Sequence, residues 1–538
     1  MKKLLPAAAF LLILSQFPVV AQDFTILHTN DLHSRFLGWA PALDYTPHIT
    51  GDDDTLGGMA RIKTAVDRIR DDRTNPVFLL DAGDFSMGTA FHLFFREEAY
   101  ELSLMKIMGY DAVALGNHEF DLKPDGLAAM LNSAAGKDGL PSVVASNVVF
   151  DPAEEGDDTL EDAFRRELAV PWKLLRREGL TVGIFSLIGR DAADVSPFAS
   201  PVSFADPVET AKEMVRLLRE DQGADVVVCL SHSGVREEPD LSEDEILAEE
   251  VAGIDVIVSG HTHTALSEPL VRNGTLIVQT GSFGENLGVL DMTFRDGRVS
   301  MKEYRLIPID DSIPGDPEIT ALIEGYKHSL ADNFFSGWTD RLNGVIAETA
   351  FDLNWTHDES NMGNLIADSI LWNIRRLEPS PEGAPPISLE SNGLIRDSLL
   401  RGETGRVAVS DLFRAFPLGF GPDTEPGYPI LKVYLSAAEI RKVLEVVTTI
   451  APMKGEDYFL HFGGIRFSFN PLRLPFDRVT RVEILTGEAW APLDCSGRNR
   501  TLYPVYTNLY NASMISVIGK YTFNILNVVI GISGFFEH

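Results

Sequence analysis

Short apolar runs alternate with amphipathic segments through the first half of this chain. The runs are rich in Val, Ile and Leu, as in strands buried on both faces of a sheet; they are 24–28, 77–80, 112–115, 182–187, 226–230 and 256–258. Segments 59–70 and 208–218 repeat their apolar residues with helical spacing. The alternation predicts an α/β layered domain.

Five polar segments directly follow five of these runs, at the strand ends where sheets of this class hold their ligands. They are Asp31-Leu32-His33, Gly83-Asp84, Gly116-Asn117-His118-Glu119, Ser231-His232-Ser233-Gly234 and Gly260-His261-Thr262-His263. One Asp-x-His pair, or one histidine after a strand, is more often a surface turn or a hydrogen-bonded core residue. Five such segments in one domain predict a metal centre.

The ligand types in these segments indicate the chemistry of the site. Hydrolysis of a phosphate ester is catalysed by two divalent metals ~3.5–4 Å apart, which generate a nucleophile and neutralise charge. Asp31 and His33 are two residues apart, so in extended backbone their side chains share a face. Carboxylate, amide and imidazole ligands without a thiolate fit Zn, Mn, Fe, Co or Mg, and we expect two Zn or Mn ions.

Three motifs of the first half resemble those of a known family. Residues 25–33 (TILHTNDLH), 81–84 (DAGD) and 116–121 (GNHEFD) are similar to the motifs of calcineurin-like metallophosphoesterases, and more closely to those of the secreted 5'-nucleotidases and UDP-sugar hydrolases. The resemblance implies a four-layer αββα sandwich followed by a second α/β domain that binds the substrate.

The resemblance also implies a role for individual residues. One metal would be held by Asp31, His33, Asp84 and His263, and the other by Asp84, Asn117, His232 and His261. Asn117 would also line the substrate site. His118 would face the substrate as a catalytic acid, oriented by Asp121, unless Asp121 instead caps the helix that follows it.

A break and a helix separate the two halves of the chain. Pro314 and Pro317 interrupt the pattern, and 316–332 has the apolar spacing of a connecting helix. We expect a signal peptide over 1–21, a calcineurin-like domain over 22–312, a linker helix over 313–343 and a 5'-nucleotidase-type C-terminal domain over 344–538. The signal rests on Lys2 and Lys3, an apolar run over 4–14 and a small-residue cleavage site before Gln22.

Two segments of the second half extend the resemblance. Residues 361–368 (NMGNLIAD) resemble the signature that opens the family's nucleotide-binding domain, and 391–396 (SNGLIR) its Asn-Gly-rich segment. Arg396 would clamp a phosphate, which guanidinium geometry suits, unless it pairs at the surface with Asp397 or Glu403.

Three departures alter the side of the site that would recognise a base. Asp358 stands where the family has an arginine, Leu418 stands where it has a stacking phenylalanine, and the late Gly-Gly-Asp-Gly segment is absent. Phe420 and Tyr510 remain the candidate base contacts. All expected metal ligands are therefore present in the sequence, while the residues that would stack on a base, here called the base platform, are changed.

Charge and cysteine content exclude several kinds of binding partner and a disulfide-based fold. The formal net charge of -33 repels nucleic acid polymers and anionic lipid, and it requires the site to bring its own positive charge, as metals would. The chain has two cysteines, too few for a disulfide framework, and we expect Cys229 in the core. Lys520 interrupts the apolar segment 514–536, so no stable membrane span is expected.

These observations predict a secreted or periplasmic two-metal phosphohydrolase, similar to 5'-nucleotidases, that releases phosphate from nucleotides or related esters. One alternative is a phosphodiesterase or pyrophosphatase acting on 2',3'-cyclic nucleotides or nucleotide sugars, and another is a phosphoesterase of non-nucleotide substrates. A binding protein without catalysis would have lost a ligand, and every expected ligand position is filled.

Overall fold

The computed structural model describes residues 21–38, 41–137, 139–335, 342–356, 358–378, 384–417, 419, 421, 427–454 and 458–512. The predicted signal peptide up to residue 20, Leu418, Phe420 and the apolar segment 514–536 lie outside the described residues. Within these ranges, no helix combines the length and the apolar character needed to cross a bilayer.

The first half of the chain folds into two large sheets flanked by helices. The strands are β1 (Gln22–Thr29), β2 (Val77–Asp81), β3 (Ala112–Ala114), β4 (Ser142–Val144), β5 (Val148–Val149), β6 (Ala169–Val170), β7 (Trp172–Arg177), β8 (Leu180–Ile188), β9 (Ser203–Phe204), β10 (Val226–His232), β11 (Val256–Ser259), β12 (Leu270–Arg272), β13 (Thr275–Val278), β14 (Asn286–Arg295) and β15 (Arg298–Pro308). The helices are α1 (Met59–Asp72), α2 (Tyr100–Met108), α3 (Lys123–Gly136), α4 (Asp158–Arg165), α5 (Arg190–Asp194), α6 (Pro207–Arg216), α7 (Glu243–Glu250) and α8 (Pro317–Phe334).

The two sheets pack face to face between two helical layers. One sheet has the order β15-β14-β1-β2-β3-β4-β6 and the other β12-β13-β11-β10-β8-β7. Because strand side chains alternate, Phe24 and Ile26 of β1 meet Val228 of β10 between the sheets, while Leu27 packs with α1 in the outer core. On the far face Val227 of β10 packs with α6 and α7. The predicted four-layer αββα sandwich is confirmed.

Strand direction brings the polar segments together. β1, β2 and β3 are neighbouring parallel strands of one sheet, and β8, β10 and β11 are neighbouring parallel strands of the other. Parallel strands end at the same edge of their sheet, so the loops after them converge. The register aligns Leu27 with Leu79 and Leu230 with Val258, so the ligand-bearing ends lie level with one another.

The second half forms smaller sheets covered by helices. Its strands are β16 (Val345–Glu348), β17 (Ile387–Ser391), β18 (Arg406–Ala408), β19 (Ile430–Ser436), β20 (Leu460–Gly463), β21 (Ile465–Phe469), β22 (Val479–Thr486), β23 (Ala489–Pro492) and β24 (Leu502–Asn508), and its helices are α9 (Asn361–Leu377), α10 (Val409–Ala415) and α11 (Ala437–Lys454). The main sheet has the order β19-β24-β17-β20. The helix predicted over 316–332 is α8; the domain boundaries themselves stay predictions.

Buried ion pairs join the two halves. The Arg35 Nη1 atom lies 2.7 Å from Asp397 Oδ2, and the two side chains are 1% and 5% exposed. Arg414 of α10 approaches the same oxygen at 3.0 Å. Cys229 is buried in the first half and Cys495 lies in the second, and both are free thiols, so the core position expected for Cys229 is confirmed.

Candidate metal centre and catalytic site

The seven predicted ligand residues converge at the facing edges of the two sheets. Asp31, Asp84 and Asn117 follow β1, β2 and β3, whereas His232 ends β10 and His261 follows β11. Five of the seven form two groups that share Asp31, with Asp31, His33 and His263 in one and Asp31, Asp84 and His232 in the other, and the ligand atoms of each group lie within 4.8 Å of one another. Asn117 and His261 contact the second group.

In the first group, three potential ligand atoms face one another. His33 Nε2 lies 3.0 Å from His263 Nε2, and His263 Nε2 lies 3.5 Å from Asp31 Oδ1. His33 Nδ1 donates to the carbonyl oxygen of Met87 at 3.1 Å, which leaves the Nε2 lone pair facing the group. Histidine metal ligands characteristically donate their other ring nitrogen in this way. Converging lone pairs of this kind fit a divalent cation.

The second group repeats the pattern. His232 Nε2 lies 3.1 Å from Asp84 Oδ2 and 3.1 Å from Asn117 Oδ1, while His232 Nδ1 donates to the Ala82 carbonyl oxygen at 2.9 Å. His261 Nδ1 reaches the same Asn117 oxygen at 3.2 Å. Asp84 Oδ2 is also 4.0 Å from His33 Nε2 of the first group, so Asp84 as well as Asp31 lies within reach of both groups, as a shared ligand would.

The electrostatics of His33 and Asp84 agree with this donor set, whereas at His232 burial is outweighed by the Asp84 carboxylate, which raises the pKa of the imidazole to about 10. Burial holds the pKa of His33 well below its usual range. Burial acts in the opposite direction on Asp84, yet His232 and His118 hold the pKa of its carboxyl well below the ordinary value. A neutral imidazole and an ionised carboxylate are the protonation states that metal ligands need. The ligand assignment of each residue stays a prediction.

Backbone strain is concentrated in these segments. Five of the seven candidate ligands have left-handed φ angles: Asp31 (51°), His33 (50°), Asp84 (52°), His261 (74°) and His263 (54°). Each such residue costs about 1–3 kcal/mol, and strain of this kind clusters at functional sites. Backbone hydrogen bonds from Asp31 N to Gly83 O (3.0 Å) and from His33 N to Asp84 O (2.9 Å) hold two of these turns in place.

Close backbone approach explains the glycines of the DAGD and GNHEFD segments. A Cβ atom on Gly116 would lie 2.1 Å from Asp84 Oδ1, and one on Gly83 would lie 2.7 Å from Gly116 N. The buried Glu119 carboxylate accepts hydrogen bonds from the backbone N–H groups of Asp84 (3.0 Å) and Gly116 (2.6 Å). Glu119 therefore fixes the two ligand turns against each other, a role that the sequence reasoning missed.

His118 and Asp121 lie beside the metal groups and form a hydrogen-bonded pair. His118 Nδ1 donates to Asp121 Oδ2 at 2.8 Å, and the residue that caps α3 is Leu122, not Asp121. Burial opposes protonation, but the carboxylates of Asp121 and Asp84 raise the pKa of His118 above its usual value. Arg396 reaches across from the second half and donates through Nη2 to His118 Nε2 at 3.1 Å. Asp397, its alternative partner, pairs with Arg35 instead.

Three aromatic side chains cluster next to this pair. The Tyr510 ring centroid lies 5.8 Å from that of Tyr428 and 6.3 Å from that of Phe198, which belongs to the first half; Phe198 and Tyr428 stack at 6.0 Å. Burial raises the pKa of Tyr428, and the nearby charge of Asp121 raises it further. Neither Phe198 nor Tyr428 was predicted, because both lie in loops without a motif.

Asp191 is a further residue that sequence reasoning missed. Its Oδ2 atom lies 3.1 Å from His261 Nε2, on the side of the ring opposite Asn117. The hydrogen bond from His261 lowers the pKa of the Asp191 carboxyl to about 2. A signal existed, because Asp191 follows the end of β8, a predicted strand, just as the five opening segments follow theirs.

Comparison with known proteins gives a consistent result for both halves. Residues 24–265 match the calcineurin-like phosphoesterase family, and residues 343–515 match the 5'-nucleotidase C-terminal domain. A 5'-nucleotidase of Diplobatis ommata is 29% identical over 519 residues, covering 91% of this chain and 82% of that protein. A trifunctional nucleotide phosphoesterase of Bacillus subtilis is 28% identical over 490 residues, covering 86% of this chain and 30% of that protein.

A solved structure extends the match to three dimensions. The 5'-nucleotidase precursor of Thermus thermophilus superposes with a TM-score of 0.73 at 28% identity, covering 93% of this chain and 92% of that one. Both sequence matches and the structural match run through the two halves in the same order. The chain thus belongs to the family that joins a calcineurin-like phosphoesterase domain to a 5'-nucleotidase C-terminal domain, and it is a metal-dependent phosphoester hydrolase.

Proposed function

We propose that this protein is a secreted or periplasmic two-metal phosphohydrolase that releases phosphate from nucleotides or related phosphate esters. The observation that carries the proposal is the convergence of Asp31, His33, Asp84, Asn117, His232, His261 and His263 beside the His118–Asp121 pair. Two divalent cations held by these seven residues would supply an activated water and neutralise charge on the phosphoryl oxygens.

His118 would move the proton that the leaving oxygen needs. Asp121 holds the Nδ1 proton of the ring, so the Nε2 atom faces the position from which Arg396 now donates. A phosphate entering there would accept the hydrogen bonds of Arg396, whose guanidinium suits phosphate oxygens. The protonated His118 would then donate from Nε2 to the leaving alkoxide.

The aromatic cluster supports a nucleotide as the substrate. The rings of Tyr510, Tyr428 and Phe198 lie together, and Tyr428 is close enough to Asp121 and Arg396 to feel both charges. A base could stack on these ring faces while its phosphate lies at the metals. The names of the relatives, 5'-nucleotidase and nucleotide phosphoesterase, point to the same substrate class.

A phosphodiester substrate is the second candidate, favoured by the acid at position 358. The loop that carries Asp358 lies against the Arg396 turn, since Asn392 Nδ2 donates to the Thr356 carbonyl oxygen at 2.8 Å. A diester carries one negative charge where a monoester carries nearly two, so a site with an acid nearby repels it less.

A substrate panel tests these proposals. The full chain, loaded with Mn²⁺ or Zn²⁺, would be assayed on AMP, UDP-glucose, a 2',3'-cyclic nucleotide and bis-p-nitrophenyl phosphate. We expect turnover of AMP; turnover restricted to the diesters favours the second candidate, and no turnover with either metal refutes both. Replacing His118 by Ala should lower kcat by about 10²–10⁴-fold at unchanged metal content. An unchanged kcat would remove His118 from the mechanism.

Secretion has a separate test. Residues 1–21 are proposed to be removed, so the mature protein isolated from an expressing bacterium should begin at Gln22 and be found outside the cytoplasm. N-terminal sequencing of the exported protein measures this directly. A protein that keeps Met1 and stays with the cytoplasmic fraction would contradict the export proposal without affecting the chemistry.

A further inference from the structure

We propose that Asp191 is a positioning residue that holds the His261 imidazole in the tautomer and orientation required for metal binding. This inference rests on the proposed metal-dependent function. His261 Nε2 lies 3.1 Å from Asp191 Oδ2, while Nδ1 of the same ring lies 3.2 Å from Asn117 Oδ1 in the second ligand group. One nitrogen therefore faces a carboxylate and the other faces the metal site.

The contact with Asp191 determines which nitrogen of His261 can bind a metal. A neutral ring carries one N–H group and one lone pair, so the nitrogen that donates determines which nitrogen can bind a metal. The Asp191 carboxylate only accepts hydrogen bonds, so the proton of His261 resides on Nε2 and the lone pair on Nδ1. A carboxylate partner also makes the ring a more basic ligand.

Two other histidines of the site are held in the same way, with one ring nitrogen donating to an oxygen and the other facing the ligand groups. His33 and His232 donate through Nδ1 to the carbonyl oxygens of Met87 and Ala82. For His261 the acceptor is a side chain, and a charged one, instead of a backbone carbonyl. Asp191 is therefore the one of these three acceptors that a substitution can remove.

Asp191 is itself held in place by several contacts. Arg236 Nη2 donates to Asp191 Oδ2 at 2.8 Å, and the Asp191 backbone N–H donates to Glu243 Oε1 at 2.9 Å. Gly189 N donates to the His232 carbonyl oxygen at 2.9 Å, which ties the segment to a second ligand residue. The carboxylate is thus fixed relative to both histidines of the second ligand group.

The position of Asp191 makes the inference testable without unfolding the protein. Its side chain is 43% exposed, and its ion pair with Arg236, which is 39% exposed, is a surface pair of the kind that contributes little to stability. Removing the carboxylate should therefore change metal binding much more than folding.

Metal titration of the chelator-treated full chain provides the test. Mn²⁺ would be added to the wild type and to Asp191→Ala, and the free ion would be followed by electron paramagnetic resonance. We expect two bound equivalents in the wild type and an affinity about 10–100-fold weaker for one equivalent in Asp191→Ala. Asp191→Asn keeps an oxygen that can accept from Nε2, so it should recover most of that affinity.

A matched control separates positioning from a general loss of charge. Asp221→Ala removes a carboxylate that is 49% exposed and paired with Arg216 at 3.2 Å, far from any histidine of the site, and it should bind both equivalents as the wild type does. Binding by Asp191→Ala as tight as wild type overturns the inference, as does equal weakening of both equivalents. A wild type that binds no Mn²⁺ in this titration overturns the proposed function, and the inference with it.

Discussion

Replacing Glu390 by Gln should remove a pH dependence from the stability of the second half. Glu390 lies fully buried in β17, and its Oε1 atom accepts hydrogen bonds from Ser391 N (2.9 Å), Asn508 Nδ2 (2.8 Å) and Asn511 Nδ2 (2.7 Å). Burial raises the pKa of this carboxyl to about 7, and the hydrogen bonds offset only part of that effect. The side chain links the turn that leads to Arg396 with the segment that carries Tyr510.

The size of the effect follows from the two pKa values. The ordinary value is 4.5, so between pH 4.5 and about 7 the folded protein holds a proton that the unfolded chain releases. The free energy of unfolding should therefore fall by ~1.4 kcal/mol per pH unit in this window, about 3 kcal/mol in total, and level off above it. In Glu390→Gln the amide nitrogen replaces Oε2 and cannot accept from Asn508, which costs about 1 kcal/mol at every pH.

The wild type should already have lost ~0.7 kcal/mol at pH 5, so the variant should be only ~0.3 kcal/mol less stable there, and it should be about 2 kcal/mol more stable at pH 8. Urea unfolding would be measured from pH 5 to pH 8, with pulsed hydrogen exchange read on peptides covering Ile387–Ser391 to isolate this sheet. Glu488→Gln, which removes the same charge from an exposed turn, serves as the control. Parallel pH profiles of wild type and Glu390→Gln would falsify the reasoning.

Three further predictions concern the metal site, the joint between the halves and the base platform. Chelation should abolish phosphate release, and Zn²⁺ or Mn²⁺ should restore it; activity that survives chelation contradicts metal dependence. Asp397→Ala leaves Arg35 buried without its counter-charge and removes one of the carboxylates that face Arg414, so it should lower the free energy of unfolding by about 3–5 kcal/mol; a change in melting temperature within experimental error rejects this. Tyr428→Leu should lower kcat/KM for AMP by about 2–10-fold and leave p-nitrophenyl phosphate turnover unchanged; an equal loss on both substrates would show that the ring acts on chemistry or folding instead.

The fold of the first half could be predicted because its signals are local. Each buried strand is a short Val-, Ile- and Leu-rich run, and each candidate ligand follows such a run within a few residues. Parallel strand ends meet at one edge, so Asp31, Asp84 and Asn117 could be placed together from their order along the chain. The apolar runs predict strands buried on both faces, and the arrangement in four layers is what the resemblance of the motifs adds.

Supporting residues could not be predicted in the same way, because their partners are distant in sequence. Glu119 belongs to a predicted motif, yet its carboxylate acts on the backbone of Asp84, 35 residues earlier. Asp191 follows a predicted strand, but its contact with His261, 70 residues later, could not be predicted because it depends on loops whose turns no periodicity describes. Left-handed φ angles at non-glycine ligands, as at His33, also could not be predicted from sequence. Asp and His adopt them more often than most residues, but too rarely for the residue type to predict one.

The substrate side of the site is harder to derive because it forms only when the two halves meet. Arg396 reaches His118 across 278 residues, and Phe198 of the first half stacks on Tyr428 of the second. The relative placement of the halves is held by the buried Arg35–Asp397 pair, whose members are 362 residues apart and carry no motif of their own. Asp397 directly follows Arg396, so the contact that joins the halves also fixes the backbone beside the predicted phosphate clamp. The reaction type can therefore be predicted from the strand-end motifs of the first half. The substrate preference depends on how the two halves pack together, which no single segment of the sequence determines.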